Sequence, residues 1–468
     1  MTSGWVCKAL GPLLLVGCGD VFAQPIREAD DASTAGETDA GVGTSGDATL
    51  PEAANNDAPG TAAYCRTIAP PRVAGSAYCT GDLANKFRFA ACACETFSIS
   101  GSLATDSFDS ASDAGARAQV ASVGADWLIA TNSEVVLGGS LWSGGVGAQG
   151  MPAMSLDGFG TVARDLESGG DLEVGGTFAV RGNVFASGSV YVQPGDAGGS
   201  LSVGAAVHVP EGGTVSAGVA ASGGILYDSV GVAPPCDCNS PIDVASIVAS
   251  ARTQNDNAAI GLTETALHYP AGALTLPCGR YYVGDITGEL VELNIDGRVA
   301  LFVDGPLSAF NALHVDMASD AELDLFVVQD VTMGVADNGA EQGNVNAPAR
   351  VRLYMAGQNL NLGSSAKVGA NIYAPAARVT LSRDLVVWGA LFARDVSFSG
   401  NLTIHYDTSV LGAAASGCAP PGGACQTCDD CSGATPACIG GRCVACTTDR
   451  DCCTPLACNR GRCGLPLQ

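Results

Sequence analysis

The stretch LEVGGTFAVRGNVFASGSVYV at residues 172–192 decides the fold. Its apolar residues come in pairs two positions apart, and a glycine or a small polar residue follows within a few positions of each pair. A period of two is typical of β-strands that bury one face. Because the pairs recur so closely, we expect many strands of only a few residues each.

The same pattern returns from about residue 96 to residue 411. Short strands that repeat in this way suit a parallel β-solenoid, in which each coil stacks on the next and glycine allows tight corners. An irregular antiparallel sandwich or barrel is the competing architecture, but few hairpin dipeptides occur. The pairs are Leu172/Val174, Phe178/Val180, Val190/Val192, Leu201/Val203, Val207/Val209, Leu293/Ile295, Leu301/Val303, Leu323/Leu325/Val327, Leu353/Met355, Leu360/Leu362, Val379/Leu381, Leu385/Val387, Val396/Phe398 and Leu402/Ile404.

The composition excludes several function classes. The chain has 468 residues, 47 acidic and 22 basic side chains, and a net charge of −25. Nucleic-acid binding needs basic surface that neutralises phosphates, so we expect no nucleic-acid partner. Electrostatic attraction to an anionic lipid surface is excluded for the same reason. Only four histidines are present, and we predict neither a metal nor a cofactor.

The N-terminus reads as an export signal. Lys8 precedes a short apolar run that ends in Leu15-Val16-Gly17-Cys18. This run is too short for a membrane span and is typical of a signal peptide. Its last four residues resemble a bacterial lipobox, which predicts lipidation of Cys18 and an anchored protein. Ordinary cleavage after Val21-Phe22-Ala23 is the alternative. No later stretch is apolar enough for a transmembrane helix.

Residues 19–63 form an acidic segment with little to bury. Nine acids and one arginine are set among alanine, glycine, serine and threonine. This composition is typical of a disordered segment, so we interpret it as a tether.

The cysteines fall into three groups once Cys7 is cleaved off and Cys18 is lipidated. Disulfides are expected because an exported chain meets an oxidising compartment. The second and third groups are odd in number, and moving Cys418 to the second makes every group even. The groups are Cys65, Cys79, Cys92 and Cys94; then Cys236, Cys238 and Cys278; then Cys418, Cys425, Cys428, Cys431, Cys438, Cys443, Cys446, Cys452, Cys453, Cys458 and Cys463.

This parity predicts a bridge between groups. Cys236 and Cys238 are too close to bridge each other without strain. We therefore expect one of them to pair with Cys278 and the other with Cys418. The second pairing would require the chain to return along the outside of the solenoid, or the first residues of the domain to lie near the end of that domain.

One helix is predicted inside the strand-rich region. Ser240 has the character of a helix cap, Pro241 suits the first helical position, and Asp243 is an acid in the first turn. The helix should end at Asn255-Asp256-Asn257 and cover the open end of the solenoid, which otherwise invites aggregation. Its apolar stripe is Ile242, Val244, Ile247, Val248 and Ala251.

Several motifs in residues 232–412 resemble an uncharacterised bacterial β-helix domain, which also occurs in pilus-assembly proteins of the PilX class and in large exported bacterial proteins. The resemblance implies a surface or assembly scaffold and transfers no catalytic residue. Its motifs are Cys236-Asp237-Cys238, residues 255–262, Cys278-Gly279-Arg280-Tyr281-Tyr282, residues 297–305, residues 369–375, residues 389–394 and Ile404-His405-Tyr406-Asp407.

The tail after Gly417 is a small cysteine-rich module. Cys431-x6-Cys438-x4-Cys443 and Cys452-x5-Cys458-x4-Cys463 form a tandem repeat of about 20 residues with little aliphatic core, so it needs disulfides as staples. It weakly resembles knottin and Dickkopf-type modules. The spacing Cys425-x2-Cys428-x2-Cys431 would also suit zinc, but the export signal favours disulfides, with no free thiol and no bound metal.

Catalytic chemistry finds little support in the sequence. A polysaccharide lyase or hydrolase on a β-helix would need clustered carboxylates. Asp316 and Asp320 flank a predicted turn, where aspartate is common because it forms local hydrogen bonds. The two histidines lie next to apolar strand positions, where we expect ordinary half-buried residues. No nucleophile, zinc-protease or phosphate-loop motif occurs. The candidates weighed are Asp304, Asp316, Asp320, Asp324, Asp330, His314 and His405.

The sequence therefore predicts an all-β exported protein, anchored by lipid to the outer membrane on its periplasmic or cell-surface face, with a structural or binding role. Its partners would be the membrane and an envelope protein or polysaccharide. A polysaccharide-active enzyme is the alternative, and a β-sandwich adhesin is a third hypothesis. The predicted segments are 1–18 signal, 19–63 tether, 64–95 small cysteine-containing segment, 96–231 glycine-rich solenoid, 232–412 PilX-like β-helix domain and 413–468 disulfide module.

Overall fold

The fold is that of a computed structural model of the full chain. It describes residues 86–111, 120–147, 151–193, 199–335 and 339–413, together with 437–439, 442–447, 457–459 and 462–464 of the tail. The lipobox, the tether, Cys65, Cys79, Cys418 and the zinc-like spacing at 425–431 lie outside these residues, so the predictions made for them remain predictions.

Short strands make up most of the described chain. The first fourteen are β1 (Ala91–Ile99), β2 (Ser102–Phe108), β3 (Val123–Leu137), β4 (Leu141–Ser143), β5 (Met154–Val162), β6 (Leu166–Ser168), β7 (Leu172–Val174), β8 (Thr177–Val180), β9 (Val184–Ala186), β10 (Val190–Val192), β11 (Ser200–Val203), β12 (Val207–Val209), β13 (Val219–Ala221) and β14 (Ile225–Tyr227).

Thirteen further strands follow a short helical stretch. They are β15 (Leu274–Val283), β16 (Ile286–Val303), β17 (Leu307–Met317), β18 (Glu322–Val327), β19 (Val331–Met333), β20 (Glu341–Gly343), β21 (Val351–Met355), β22 (Asn359–Leu362), β23 (Lys367–Gly369), β24 (Asn371–Leu381), β25 (Leu385–Trp388), β26 (Leu391–Phe398) and β27 (Asn401–Asp407). The helices are α1 (Val244–Ala251), α2 (Asn257–Ile260), the 3-10 turn η1 (Pro348–Arg350) and α3 (Val410–Ala413).

All of these strands pair in parallel and wind into a three-sided solenoid, which confirms the predicted fold class. Each coil contributes a strand to sheet A, then to sheet B, then to sheet C, and the longest strands bend across the corners. Sheet B includes β19, β22, β7 and β10, and sheet C includes β20, β23, β25, β27, β2, β8, β11 and β13. Sheet A contains β15, β16, β18, β21, β24, β26, β1, β3, β4, β6, β9, β12 and β14 in spatial order. Twelve steps of about 4.8 Å make it about 58 Å long.

Glycine shapes the corner between sheets C and A. Gly297 and Gly389 have φ values of 116° and 129°, a region that side chains rarely adopt. A Cβ on Gly389 would lie 2.4 Å from the carbonyl oxygen of Ala370 in the adjacent coil. These corners therefore require glycine, as the sequence pattern predicted.

The order of the coils in space differs from their order in the chain. Strand β1 pairs with β26, and β2 pairs with β27, so the N-terminal half stacks on the last coil of the C-terminal half. The solenoid thus runs from β15 to β27 and continues from β1 to β14 without a gap in pairing. Strand β1 also spans the boundary predicted between residues 95 and 96.

The chain must therefore travel back from β14 to β15, and residues 228–243, the return segment, do so along the outside of sheet A. Ser187 Oγ donates to the Val230 carbonyl at 3.3 Å. Pro235 lies over Gly124, where an added Cβ would come within 2.6 Å of it. Farther along, the Tyr373 hydroxyl meets the Ile242 amide at 3.4 Å. The segment fits because extended chain covers about 3.3 Å per residue.

Two disulfides fix the return segment to the junction between the halves. Cys92 bonds to Cys236, and Cys94 bonds to Cys238. The predicted pairing of Cys236 and Cys238 with Cys278 and Cys418 is therefore wrong. The parity argument gave Cys236 and Cys238 partners in their own group and at Cys418, whereas the permuted stacking brings the first group, on β1, beside the return segment. Cys278 is also disulfide-bonded.

Helix α1 follows the return segment. It begins at Val244, three residues later than predicted, because the Asp243 carboxylate and not Ser240 caps it, accepting from the Ser246 amide at 3.0 Å. Four residues of the predicted stripe, Val244, Ile247, Val248 and Ala251, are buried, whereas Ile242 precedes the helix and is half-buried. The helix ends at Ala251, before the predicted end at Asn255-Asp256-Asn257. The helix contacts β15, β16 and β18, so it covers the outer surface of the first strands of sheet A.

The tail repeat appears as two equivalent antiparallel hairpins. They are β28 (Ala437–Ile439) with β29 (Arg442–Val444), and β30 (Ala457–Asn459) with β31 (Arg462–Gly464). A disulfide joins Cys446, after the first hairpin, to Cys458 in the second. Among the residues described, no helix is long and apolar enough to cross a membrane.

Candidate interaction surface

The outer side of sheet A carries a ladder of aromatic rings in register. The rings stack or tilt at centroid distances of 4.8–6.2 Å from Phe302 to Phe392. Helix α1, the return segment and Phe87 cover them, so sheet A is buried on both sides from β15 to β26. Its members are Tyr282, Phe302, Phe326, Tyr354, Tyr373 and Phe392. The ladder is therefore a packing layer and not an exposed binding platform.

The register position that the aromatic rings occupy continues on the outer side of sheet A in the N-terminal half, where its residues are more varied in polarity. After Cys92 and Gly124 come Trp142, Glu167, Phe185, His208 and Leu226. Burial, and next the negative charge of Asp165, raise the pKa of Glu167 to about 7. The residues next to Glu167 in the ladder, Trp142 and Phe185, carry no positive charge that would offset the cost of ionising a buried carboxyl group. The stability of the sheet at Glu167 should therefore depend on pH.

A buried ion pair lies beside the aromatic ladder. Arg352 is fully buried and binds Asp324 through Nε at 2.6 Å and through Nη2 at 3.0 Å. The same guanidinium donates to Glu322 at 2.7 Å. Burial alone would raise the pKa of Glu322, but the charge and hydrogen bond of Arg352 hold it below its ordinary value. Asp324 thus has a structural partner in the core.

The other weighed residues are separated from one another. Asp304 accepts from the Tyr282 hydroxyl at 2.9 Å, and Asp330 holds the next coil by accepting from the Gln358 and Asn359 amides at 2.8 and 3.0 Å. His405 contacts Asp106 at 2.7 Å in sheet C. Asp316 and Asp320 are exposed on either side of the turn after β17, and His314 is half-buried in that strand. Within the described ranges, no three side chains are grouped as metal ligands.

The outer side of sheet B presents small polar side chains in a row. It includes Thr287, Ser308 and Thr332, followed by Asn361. Farther along, Thr380 and Ser397 stand beside Ser98. These residues are exposed or half-buried, so the row offers hydrogen-bonding groups to a long partner. Charged side chains flank it, because Arg378 pairs with Asp395 two positions before Thr380 and Ser397.

The first edge of the solenoid is capped. The backbone of β15 exchanges hydrogen bonds with Asp256, whose amide donates to the Arg280 carbonyl at 2.7 Å and whose carboxylate accepts from the Arg280 amide at 2.8 Å. The Asn257 side chain satisfies both backbone groups of Tyr282, at 2.6 and 2.9 Å. Leu267 and Tyr269 pair with Thr287 at the start of sheet B. No further strand can add to sheets A and B there without displacing these bonds.

The last edge lacks such a cap among the residues described. Strand β13 pairs with β11 and β14 pairs with β12, and neither has a strand on its other side. Ile225, Leu226 and Tyr227 of β14 are 41%, 44% and 55% exposed. A groove of about 840 Å³ is lined by Arg181, Ser202, Val219 and Ile225, among others. This free edge is the strongest candidate for an interaction surface.

The comparisons with known proteins assign no activity. A family model described as a domain of unknown function, DUF7305, matches residues 226–412. No curated protein and no solved structure matches the chain. The matched stretch begins in β14 and runs through the return segment, α1 and β27 into α3.

Sequence reasoning did not find the free edge or the two bridges. A signal for the bridges exists, because Cys92-Ala93-Cys94 and Cys236-Asp237-Cys238 share the same one-residue spacing. Two extended segments side by side can join at matching alternate positions. The free edge had no signal, because only the stacking order shows which coil comes last.

Proposed function

We propose that the protein is an exported scaffold of the bacterial envelope, anchored by lipid on Cys18, whose solenoid supports a structural or binding role. The observation that carries the proposal is the long solenoid, which two disulfides hold to the return segment. Its two bridges each span 144 residues of sequence, and disulfides persist in the oxidising compartments that exported proteins enter.

The surface chemistry supports binding rather than catalysis. The weighed carboxylates with partners, Asp304, Asp324 and Asp330, hold neighbouring coils together. The row of small polar side chains on sheet B suits an extended partner, such as another envelope protein or a polysaccharide. The resemblance to the domain of pilus-assembly proteins is consistent with a scaffold, and we include it in the proposal.

Fractionation of cells that express the full chain tests the anchoring. Wild-type protein should remain with membranes, and Cys18→Ala should move it to the soluble exported fraction, because the thiol that accepts lipid is gone. Cys7→Ala is the matched control, since it changes a cysteine upstream of the lipobox and should leave the protein on membranes. Membrane retention of Cys18→Ala with a mature N-terminus at Gln24 would contradict anchoring at Cys18.

Incubation with envelope polysaccharides tests the role. A scaffold should bind them or leave them unchanged, without new chain ends. Release of reducing ends or unsaturated products by the purified protein would favour the polysaccharide-active enzyme.

A further inference from the structure

The two ends of the solenoid are built differently. At the first end, Asp256, Asn257, Leu267 and Tyr269 occupy backbone groups of the outermost strands of sheets A and B. At the last end, β13 and β14 have no strand beyond them in the described chain. A free strand edge is a template for another strand, and proteins usually protect it with charges, proline or a covering segment.

The last coil carries none of the usual protection within its own sequence. Residues 212–227 contain no Asp, Glu, Lys or Arg and no proline, although charged residues make up 15% of the chain. Three successive large side chains, Ile225, Leu226 and Tyr227, are exposed there. An uncharged edge is what a chain with a net charge of −25 needs if two copies are to approach each other without strong repulsion.

We propose that the free edge of β13 and β14 pairs with the same edge of a second copy of this chain. Asp256 and Asn257 occupy the first edge of sheet A, so β14 of another copy cannot pair there, and head-to-tail stacking of the whole edge into a filament is blocked. A pairing of like edges is closed by two-fold symmetry, in which the same patch of each copy contacts the other. The product is a dimer about twice as long as one solenoid.

The contact is small, so the dimer is weak. One coil facing another buries on the order of 1,000 Å² in total, the low end for specific interfaces. We expect a dissociation constant in the micromolar range in solution. The pairing does not depend on the lipid anchor, although two anchored copies would meet at a higher effective concentration.

Sedimentation of the full chain with Cys18→Ala tests the proposal without association through lipid. This protein should dimerise as its concentration rises through the micromolar range. Ala220→Lys with Leu226→Lys places like charges on both facing edges and should raise the dissociation constant at least tenfold. Thr161→Lys is the matched control, because Thr161 is an exposed residue of the same ladder three coils inward from Ala220, outside the groove, and should leave the constant unchanged.

Photo-crosslinking from a benzoylphenylalanine at position 227 identifies the occupant even if the lysine variant misfolds. In a mixture of isotope-labelled and unlabelled protein, crosslinks should join the two forms within residues 212–227. A monomer at every concentration, crosslinks to another segment of the same chain, or equal weakening by Thr161→Lys would each overturn the proposal.

Discussion

The two neighbouring bridges should stabilise the protein as one unit. In the chain-entropy model, a bridge that closes about 144 residues stabilises by about 5 kcal/mol. Once either bridge is present, the other closes a ring of only about six residues and adds about 2 kcal/mol. Removing one pair should therefore cost about 2 kcal/mol, and removing both should cost about 7 kcal/mol.

Denaturant unfolding of the oxidised full chain measures this effect. Trp142 reports on the junction because its ring lies 5.9 Å from that of Phe89. The variants are Cys92→Ala with Cys236→Ala, Cys94→Ala with Cys238→Ala, and all four together. The four-residue variant should lose about 3 kcal/mol more than the two pair variants combined, and packing changes at each site cancel in this comparison.

The tail provides a control for cysteine removal as such. Cys446→Ala with Cys458→Ala deletes a bridge that spans 12 residues outside the solenoid and should leave the transition of the solenoid unchanged. Additive losses from the two pairs, or a loss of about 5 kcal/mol from either pair alone, would refute the reasoning that they close one loop.

Two further predictions concern charges in and beside sheet A. Arg352→Met should destabilise the protein by about 3–5 kcal/mol because it leaves the buried Asp324 without its cation. Thermal melting measures this loss, and adding Asp324→Leu should recover part of it. An unchanged melting temperature in Arg352→Met would contradict the prediction. Glu167 has a folded-state pKa of about 7 against an ordinary value of 4.5, so the unfolded chain ionises first and stability falls as the pH rises through this window. Glu167→Gln should accordingly raise the melting temperature at pH 8 and not at pH 4, and an equal rise at both pH values would show that ionisation is not the cause.

The motifs in residues 232–412 prove to be elements of one packing scheme. Gly279-Arg280-Tyr281-Tyr282 and residues 389–394 each place a glycine at a corner and then an aromatic ring in the outer ladder of sheet A. Asp256 and Asn257 cap the edge of β15. A strand buried on both faces shows a continuous apolar run instead of alternation, which explains residues 299–303.

The sequence by itself determined the fold class, the glycine corners and the apolar stripe of α1. These features depend on local periodicity and on the conformations that single residues allow, and both are written in a few neighbouring positions. The alternation at 172–192 was therefore sufficient to predict a solenoid of short strands.

Only the tertiary structure decided the order of the coils, the pairing of the cysteines and the position of the free edge. Every coil presents nearly the same backbone edge and the same aliphatic pairs to its neighbours, so local pattern does not specify which coil lies next to which. Contacts between distant segments make that choice. Covering the aromatic ladder of sheet A with α1 and the return segment places β1 on β26, and this arrangement brings Cys92 and Cys94 to Cys236 and Cys238 and leaves β13 and β14 at the end.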